Sequence, residues 1–283
     1  MFRTLRPLAS ALFCLSLTQA LPAAAQTIDA TTFERLSTGA AAVQPKVVAW
    51  RRDIHAHPEL GLQEARTARL VAEHLKGLGI EVKTGVGGHG VIGILKGGKP
   101  GRVVGLRADM DALPMAEQTG LPFASRLTQI NMGKETPVMH SCGHDGHTAM
   151  LMGVAEMLAG MREQIPGTVK FVFQPSEEGP SRALAECEKF GAAAMIADQA
   201  LQDPNVDAMF GLHLIPTLPS GTIFYKAGPV LASSDRLDIR IVGKQAPGGM
   251  PWQGWMRWRW PPKWSAACKR SSAGRATSAS SRS

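Results

Sequence analysis

After the first 25 residues the sequence lacks any run of the ~18 uninterrupted apolar residues that a membrane-spanning helix needs, which excludes a helical membrane protein. Acidic residues are missing from both ends. Residues 255–283 hold seven basic residues and no acid, and residues 1–25 hold Arg3 and Arg6 and no acid. Removing these nine positive charges from the formal +8 leaves 26–254 at −1, so the basic composition makes no electrostatic case for a nucleic-acid partner. Cysteine is scarce: Cys14, Cys142, Cys187 and Cys268 are widely spread, and three remain once a leader is removed. An odd, scattered set fits poorly with a disulfide scaffold, although export permits disulfides. Histidine is absent after His213. With 44% hydrophobic and 19% charged residues, the 283-residue chain has the composition of a globular protein of about two average domains.

The ends read differently from the body. Arg3 and Arg6, the apolar run Leu8 to Leu17 and Ala23-Ala24-Ala25 have the form of a secretory signal over 1–25, cleaved before Gln26. The mature protein is then expected to be exported, periplasmic or secreted, with no membrane attachment. From Trp255 on, four Trp fall within ten residues and a Ser/Ala/Arg run follows, with neither helical nor strand periodicity. A change of translation frame near residue 254 is the favoured reading of this tail over a solvated basic extension, because a Trp cluster with no partner is an aggregation liability.

Within 26–228 the pattern alternates. Apolar spacing predicts helices over 43–56 and 63–78, separated by Pro58, and Ala-rich text predicts another over 181–200. A helix is expected from His144 to Leu158. Strands are expected at Gly90–Leu95, Val103–Leu106, Gly167–Phe173 and Val206–Leu214. The alternation predicts an α/β fold with a largely parallel sheet covered on both faces. Period-two text from Arg236 opens a different unit, so 229–254 is taken as the start of a second domain.

Polar residues gather where the strands are expected to end. Asp109 and Asp111 follow one strand, Glu177-Glu178 another, and His213 closes a third; His140-Ser-Cys142-Gly-His144-Asp145-Gly-His147 opens a helix. Carboxyl ends of parallel strands share one edge, where ligands bind. Cys, His and Glu together suit zinc, manganese or cobalt. Adjacent side chains of extended backbone point oppositely, so one of Glu177 and Glu178 can ligate a metal while the other serves as general base.

Five segments, RRDIHAHPEL (51–60), LRADMDALP (106–114), MHSCGHDGHTAML (139–151), FQPSEEG (173–179) and GLHLIPTLPSG (211–221), resemble in order and spacing the metallo-amidohydrolases that include hippurate hydrolase, N-acyl-amino-acid amidohydrolases and indole-acetyl-amino-acid hydrolases. The resemblance covers about residues 40–254. It implies a zinc-peptidase-like, mixed, mostly parallel sheet in a catalytic domain, and the start of a ferredoxin-like lid. It implies Cys142, His144, Glu178 and His213 as ligands of two divalent metal ions, Glu177 as general acid/base, and Asp111 as a residue orienting a histidine ligand. The implied substrate is a small N-acyl amino acid, with a dipeptide as the alternative of a metallocarboxypeptidase or dipeptidase. A homodimer formed through the lid is the family's habit.

Elsewhere the pattern assigns structural roles. His55 and His57 are read as meeting helix-end carbonyls, His74 and His89 as surface residues, Asp145 as a helix cap, and Arg107 as an ion-pair partner. His147 is expected to hydrogen-bond rather than ligate. Two departures from the family stand out. Pro247 occupies the place of a lid histidine, and no histidine follows His213 to complete the second metal site. The sequence therefore predicts an incomplete second metal site, a doubtful dimer and weak turnover. A non-catalytic metal- or ligand-binding protein is the reading from another class; retention of Glu177 argues against it.

Overall fold

The computed structural model describes residues 29–185, 187–230, 246–247 and 249–250. The signal segment 1–25, the tail 255–283 with Cys268, and nearly all of 229–254 lie outside them. The chain divides after Pro219. In the unit from Ser220 on, the described residues hold no helix or strand. No described helix is long and apolar enough to cross a membrane.

Asp29 opens the first helix. Its carboxylate accepts from the Thr32 backbone N–H at 2.8 Å, and α1 runs over Ala30–Ala56. It begins well before residue 43 because this cap, rather than an apolar stripe, marks its start, and it carries Pro45 in its interior. The next helix, α2 (Ala65–Gly77), is capped by Glu59, whose carboxylate accepts from the Arg66 and Thr67 backbone at 2.9 and 2.8 Å.

The central sheet comprises β1 (Glu81–Val86), β2 (Gly90–Lys96), β3 (Lys99–Asp109), β6 (Pro166–Gln174) and β7 (Ala208–Gly211), in the order β1-β2-β6-β3-β7. β2 runs antiparallel to both its neighbours, while β6, β3 and β7 pair in parallel. Four of these five strands thus point one way. A separate hairpin, β4 (Thr128–Asn131) and β5 (Lys134–Pro137), leaves the sheet. Strand alternation sorts the core. Val169, Phe171 and Phe173 of β6 face Val71 and Leu75 of α2 and Met152 of α3 (His144–Gly160). On the other side, Val172, Ile92 and Ile94 pack with Met195 of α4 (Gly191–Ala197). Helices therefore cover both faces, and each fully buried Phe contributes roughly 1.5–3 kcal/mol.

Two expected elements are shorter than their sequence suggests. Among the described residues of 181–200, only α4 is helical. Ser181 is tied to the Gly61 carbonyl, Cys187 and Gly191 take positive φ, and Glu188 folds back on Arg182. Alanine content supplies helix propensity but here has no packing face to extend it. The Val206–Leu214 strand shrinks to β7 because pairing with β3 stops at Arg107 opposite Gly211. His213 lies just past that end.

Candidate metal centre

The carboxyl ends of β6, β3 and β7 lie side by side, and the N-terminus of α3 faces them. From β3 come Asp109 and Asp111; past β6 comes the 176–179 turn; past β7 comes His213; before α3 comes Cys142. Gly143, at φ 95°, lets the chain turn sharply between Cys142 and His144.

His144 is the centre of the arrangement. Its ring is fully buried and donates from Nδ1 to the Asp111 carbonyl at 2.8 Å. That leaves Nε2 as a lone-pair donor. Around Nε2 stand Asp109 Oδ2 at 3.5 Å, Glu177 Oε2 at 3.8 Å and Glu178 Oε1 at 4.0 Å. Cys142 Sγ lies 3.4 Å from His213 Nε2, and one ligand atom from each of Cys142, His144 and His213 falls within 4.8 Å of the others. His144, Glu177 and Glu178 form another such group. The structure thus brings Cys142, His144, Glu177, Glu178 and His213 to one place, with Asp111 behind His144. Asp111 Oδ2 also accepts from the Glu178 backbone N–H at 2.8 Å. The Glu177-Glu178 backbone is bent rather than extended, and both carboxylates approach the same imidazole.

The donor chemistry fits divalent cations. His144 Nε2 is buried without a hydrogen-bond partner and faces Asp109 Oδ2, whose charge Arg107 Nη1 already meets at 2.8 Å, so His144 Nε2 is the donor left open for a cation. Burial, reinforced by the charges of Glu178, Glu177 and Asp109, pushes the Cys142 thiol up to about 12. Burial and the neighbouring Glu178 raise Glu177 above the usual carboxylate range. Excess negative charge is what a bound dication offsets, and a dication deprotonates a ligating thiol.

Asp109 is a buried residue of the centre that strand-end reasoning left without a role, while His147 makes hydrogen bonds, as expected. Burial works against the Asp109 carboxylate, but the His147 hydrogen bond and the charges of His144 and Arg107 outweigh it and hold Asp109 at about 2. Arg107 Nη1 stands 2.8 Å from its Oδ2, and Arg107 Nε donates to Gln174. His147 is used at both nitrogens. Nδ1 donates to Asp109 Oδ1 at 2.6 Å, and Nε2 accepts from the Leu214 backbone N–H at 2.8 Å. It ties the His213 segment to β3 and α3. His213 Nδ1 donates to the Leu214 carbonyl, which turns its Nε2 toward Cys142. The spacing of Asp109 and Asp111, two apart on one strand end, was the available signal for Asp109.

Of the other histidines, His57 meets its expectation while His55 and His74 depart from theirs. His57 does meet a helix carbonyl, that of Asp53. His55 instead forms a buried pair with Asp145 at 2.8 Å and Glu117 at 3.1 Å, so Asp145 is an ion-pair partner, joined by Arg51, rather than a cap. His74 is not a free surface residue: it bonds the Met152 carbonyl and sets its ring edge-on to Trp50. His140 is buried with neither nitrogen bonded, and burial lowers it to about 4.

The sequence profile of peptidase family M20/M25/M40 matches residues 105–277. An N-acyl-L-amino acid amidohydrolase of Geobacillus stearothermophilus is 43% identical over 211 residues, covering 75% of this chain and 52% of that protein. The hippurate hydrolase of Campylobacter jejuni is 41% identical over 201 residues, covering 71% and 48%. The solved YXEP protein of Bacillus subtilis, described as a dinuclear metal binding peptidase of the M20 family, is 40% identical with a TM-score of 0.57, covering 67% of this chain and 48% of its own. The chain spans about half the length of the curated relatives it matches.

Proposed function

The chain belongs to peptidase family M20/M25/M40, and from that premise we propose that its site hydrolyses the amide bond of N-acyl amino acids with the help of two divalent metal ions. Cys142, His144, Glu178 and His213 are the proposed ligands, Glu177 the proposed general base, and Asp111 the residue that fixes the His144 ring. The observation that carries this reading is His144 Nε2, a buried nitrogen with no hydrogen-bond partner, within 4.0 Å of both carboxylates of the Glu177-Glu178 pair. Divalent ions held there would acidify a water and polarise the scissile carbonyl.

The chain's own residues do the rest. Glu177 is the more exposed of the two adjacent glutamates, its side chain 42% accessible against 24% for Glu178. It is placed to take a proton from the attacking water and return it to the nitrogen of the departing amino acid. Asp111 spends its backbone carbonyl on His144 and one carboxylate oxygen on the Glu178 N–H, so one residue sets two proposed ligands. Export through residues 1–25 is part of the same reading, and N-terminal sequencing of secreted protein checks it by finding Gln26 first.

Release of benzoate and glycine from hippurate, or of acetate from N-acetyl amino acids, tests the function. Glu177→Gln is expected to retain its metal content and lose at least about 100-fold in turnover. Turnover by the 283-residue chain is expected to fall below that of a relative with histidine in the place of Pro247, which donates no hydrogen bond. Unchanged hydrolysis by the Gln variant would remove Glu177 from the reaction.

A further inference from the structure

The loop between α1 and α2 carries a carboxylate that the reaction does not use. Glu64 is fully buried. It stands at the N-cap position of α2 yet makes no capping hydrogen bond with its side chain; Glu59 does that work. Glu64 Oε1 instead accepts from the Ser176 backbone N–H at 2.6 Å and from the Ser176 hydroxyl at 3.1 Å. Ser176 immediately precedes Glu177-Glu178 and holds φ at 53°, a left-handed conformation that a serine adopts only when its surroundings demand it.

The rest of the loop grips the same turn. Leu62 N–H donates to the Ser176 hydroxyl at 2.8 Å. The Gly61 carbonyl accepts from the Ser181 hydroxyl at 2.6 Å, and a β-carbon on Gly61 would stand 2.0 Å from the Gly179 carbonyl oxygen. Residues 60–64 thus form a cradle for 176–181.

We infer that Glu64 is a positioning residue for the catalytic turn, acting through Ser176 to place Glu177 and Glu178 against His144. The inference rests on the proposed reading of the site. Glu64 touches neither the proposed ligands nor a substrate; its acceptor oxygen holds a strained backbone angle, and that angle aims the two glutamates. The chemical requirement is one buried oxygen at Oε1, so an amide in its place should serve nearly as well as the carboxylate.

Titration of the metal-free 283-residue chain with cobalt(II), followed by its visible absorption, tests this without relying on activity. Glu64→Ala is expected to lower cobalt affinity at least about tenfold and to alter the absorption bands. Glu64→Gln, which keeps the acceptor, is expected to remain within about threefold of the parent with the parent spectrum. Circular dichroism establishes that each variant is folded. Should Glu64→Ala fail to fold, Ser176→Ala takes its place, since it removes the hydroxyl that links Leu62 to Glu64; a several-fold loss is expected. Parent-like cobalt binding in Glu64→Ala, or in Ser176→Ala where that variant replaces it, overturns the inference. So does a Gln variant as weak as the alanine one. Cys142→Ser separates the two levels. If it binds cobalt as the parent does, or the parent binds none, the reading of the site falls and the inference with it. If Cys142→Ser is weak while Glu64→Ala is parent-like, the positioning role alone falls.

Discussion

Asp109, beside His144, and Glu64, bonded to Ser176, are both buried carboxyls and are pulled in opposite directions. Asp109 is held at about 2 because the His147 hydrogen bond and the His144 and Arg107 charges outweigh its burial. Glu64 is raised to about 7, chiefly by burial, with the Asp111 charge adding to it and the Ser176 bonds working against it. Each gives a prediction. Asp109→Asn keeps the shape but removes the charge that faces His144 Nε2, and metal affinity measured by calorimetry is expected to drop about 10–100-fold. For Glu64 the folded chain holds a proton that the unfolded chain releases near pH 4.5. Its contribution to stability is complete below that pH and is lost as pH rises through about 7. The melting temperature of the metal-free parent, relative to Glu64→Gln, should therefore fall between pH 5 and pH 8. Glu177, Glu178 and His213 could be singled out as polar text at the expected ends of strands, and Cys142 and His144 as reactive text opening a helix; their separate roles came from the family resemblance. Glu64 could not, since an acid beside a helix start reads as a cap, and only the fold reveals that Glu59 already fills that role.

At the scale of elements, the site depends on loops gripping loops. β6, β3 and β7 bring their ends together by parallel pairing, but pairing stops at Gln174, Asp109 and Gly211, short of the proposed ligands and Glu177. Beyond those ends the chain is held by the 60–64 cradle on one side and by His147 and Leu214 on the other. Gly61→Ala tests the cradle. Its new methyl group meets backbone that cannot swing aside, so a loss of about 1–3 kcal/mol in urea unfolding is expected, with weaker cobalt binding. Strands β2, β3, β6 and β7 and helix α3 were legible, the buried strands because Gly90–Leu95 and Gly167–Phe173 are apolar runs of strand length, whereas β1, β4 and β5 are largely exposed and were not expected. The start of α1 and the short α4 were not legible. The first is set by the Asp29 cap, and the second is cut by left-handed residues at Cys187 and Gly191, tertiary outcomes that propensity does not encode.

For the whole molecule, the mixed sheet with helices on both faces fits the family, and a body charge near zero leaves the carboxylate-rich centre as a local electrostatic feature that could hold a cation. The chain spans about half the length of the relatives it matches, so what it holds by itself is the question that matters most. Crystals of the 283-residue chain grown with zinc, with diffraction recorded on both sides of the zinc absorption edge, answer it. The account predicts an anomalous peak bonded, at about 2.0–2.3 Å, to Cys142 Sγ and to Nε2 of His144 or His213. A zinc-containing crystal with no peak among Cys142, His144, Glu178 and His213 would contradict it.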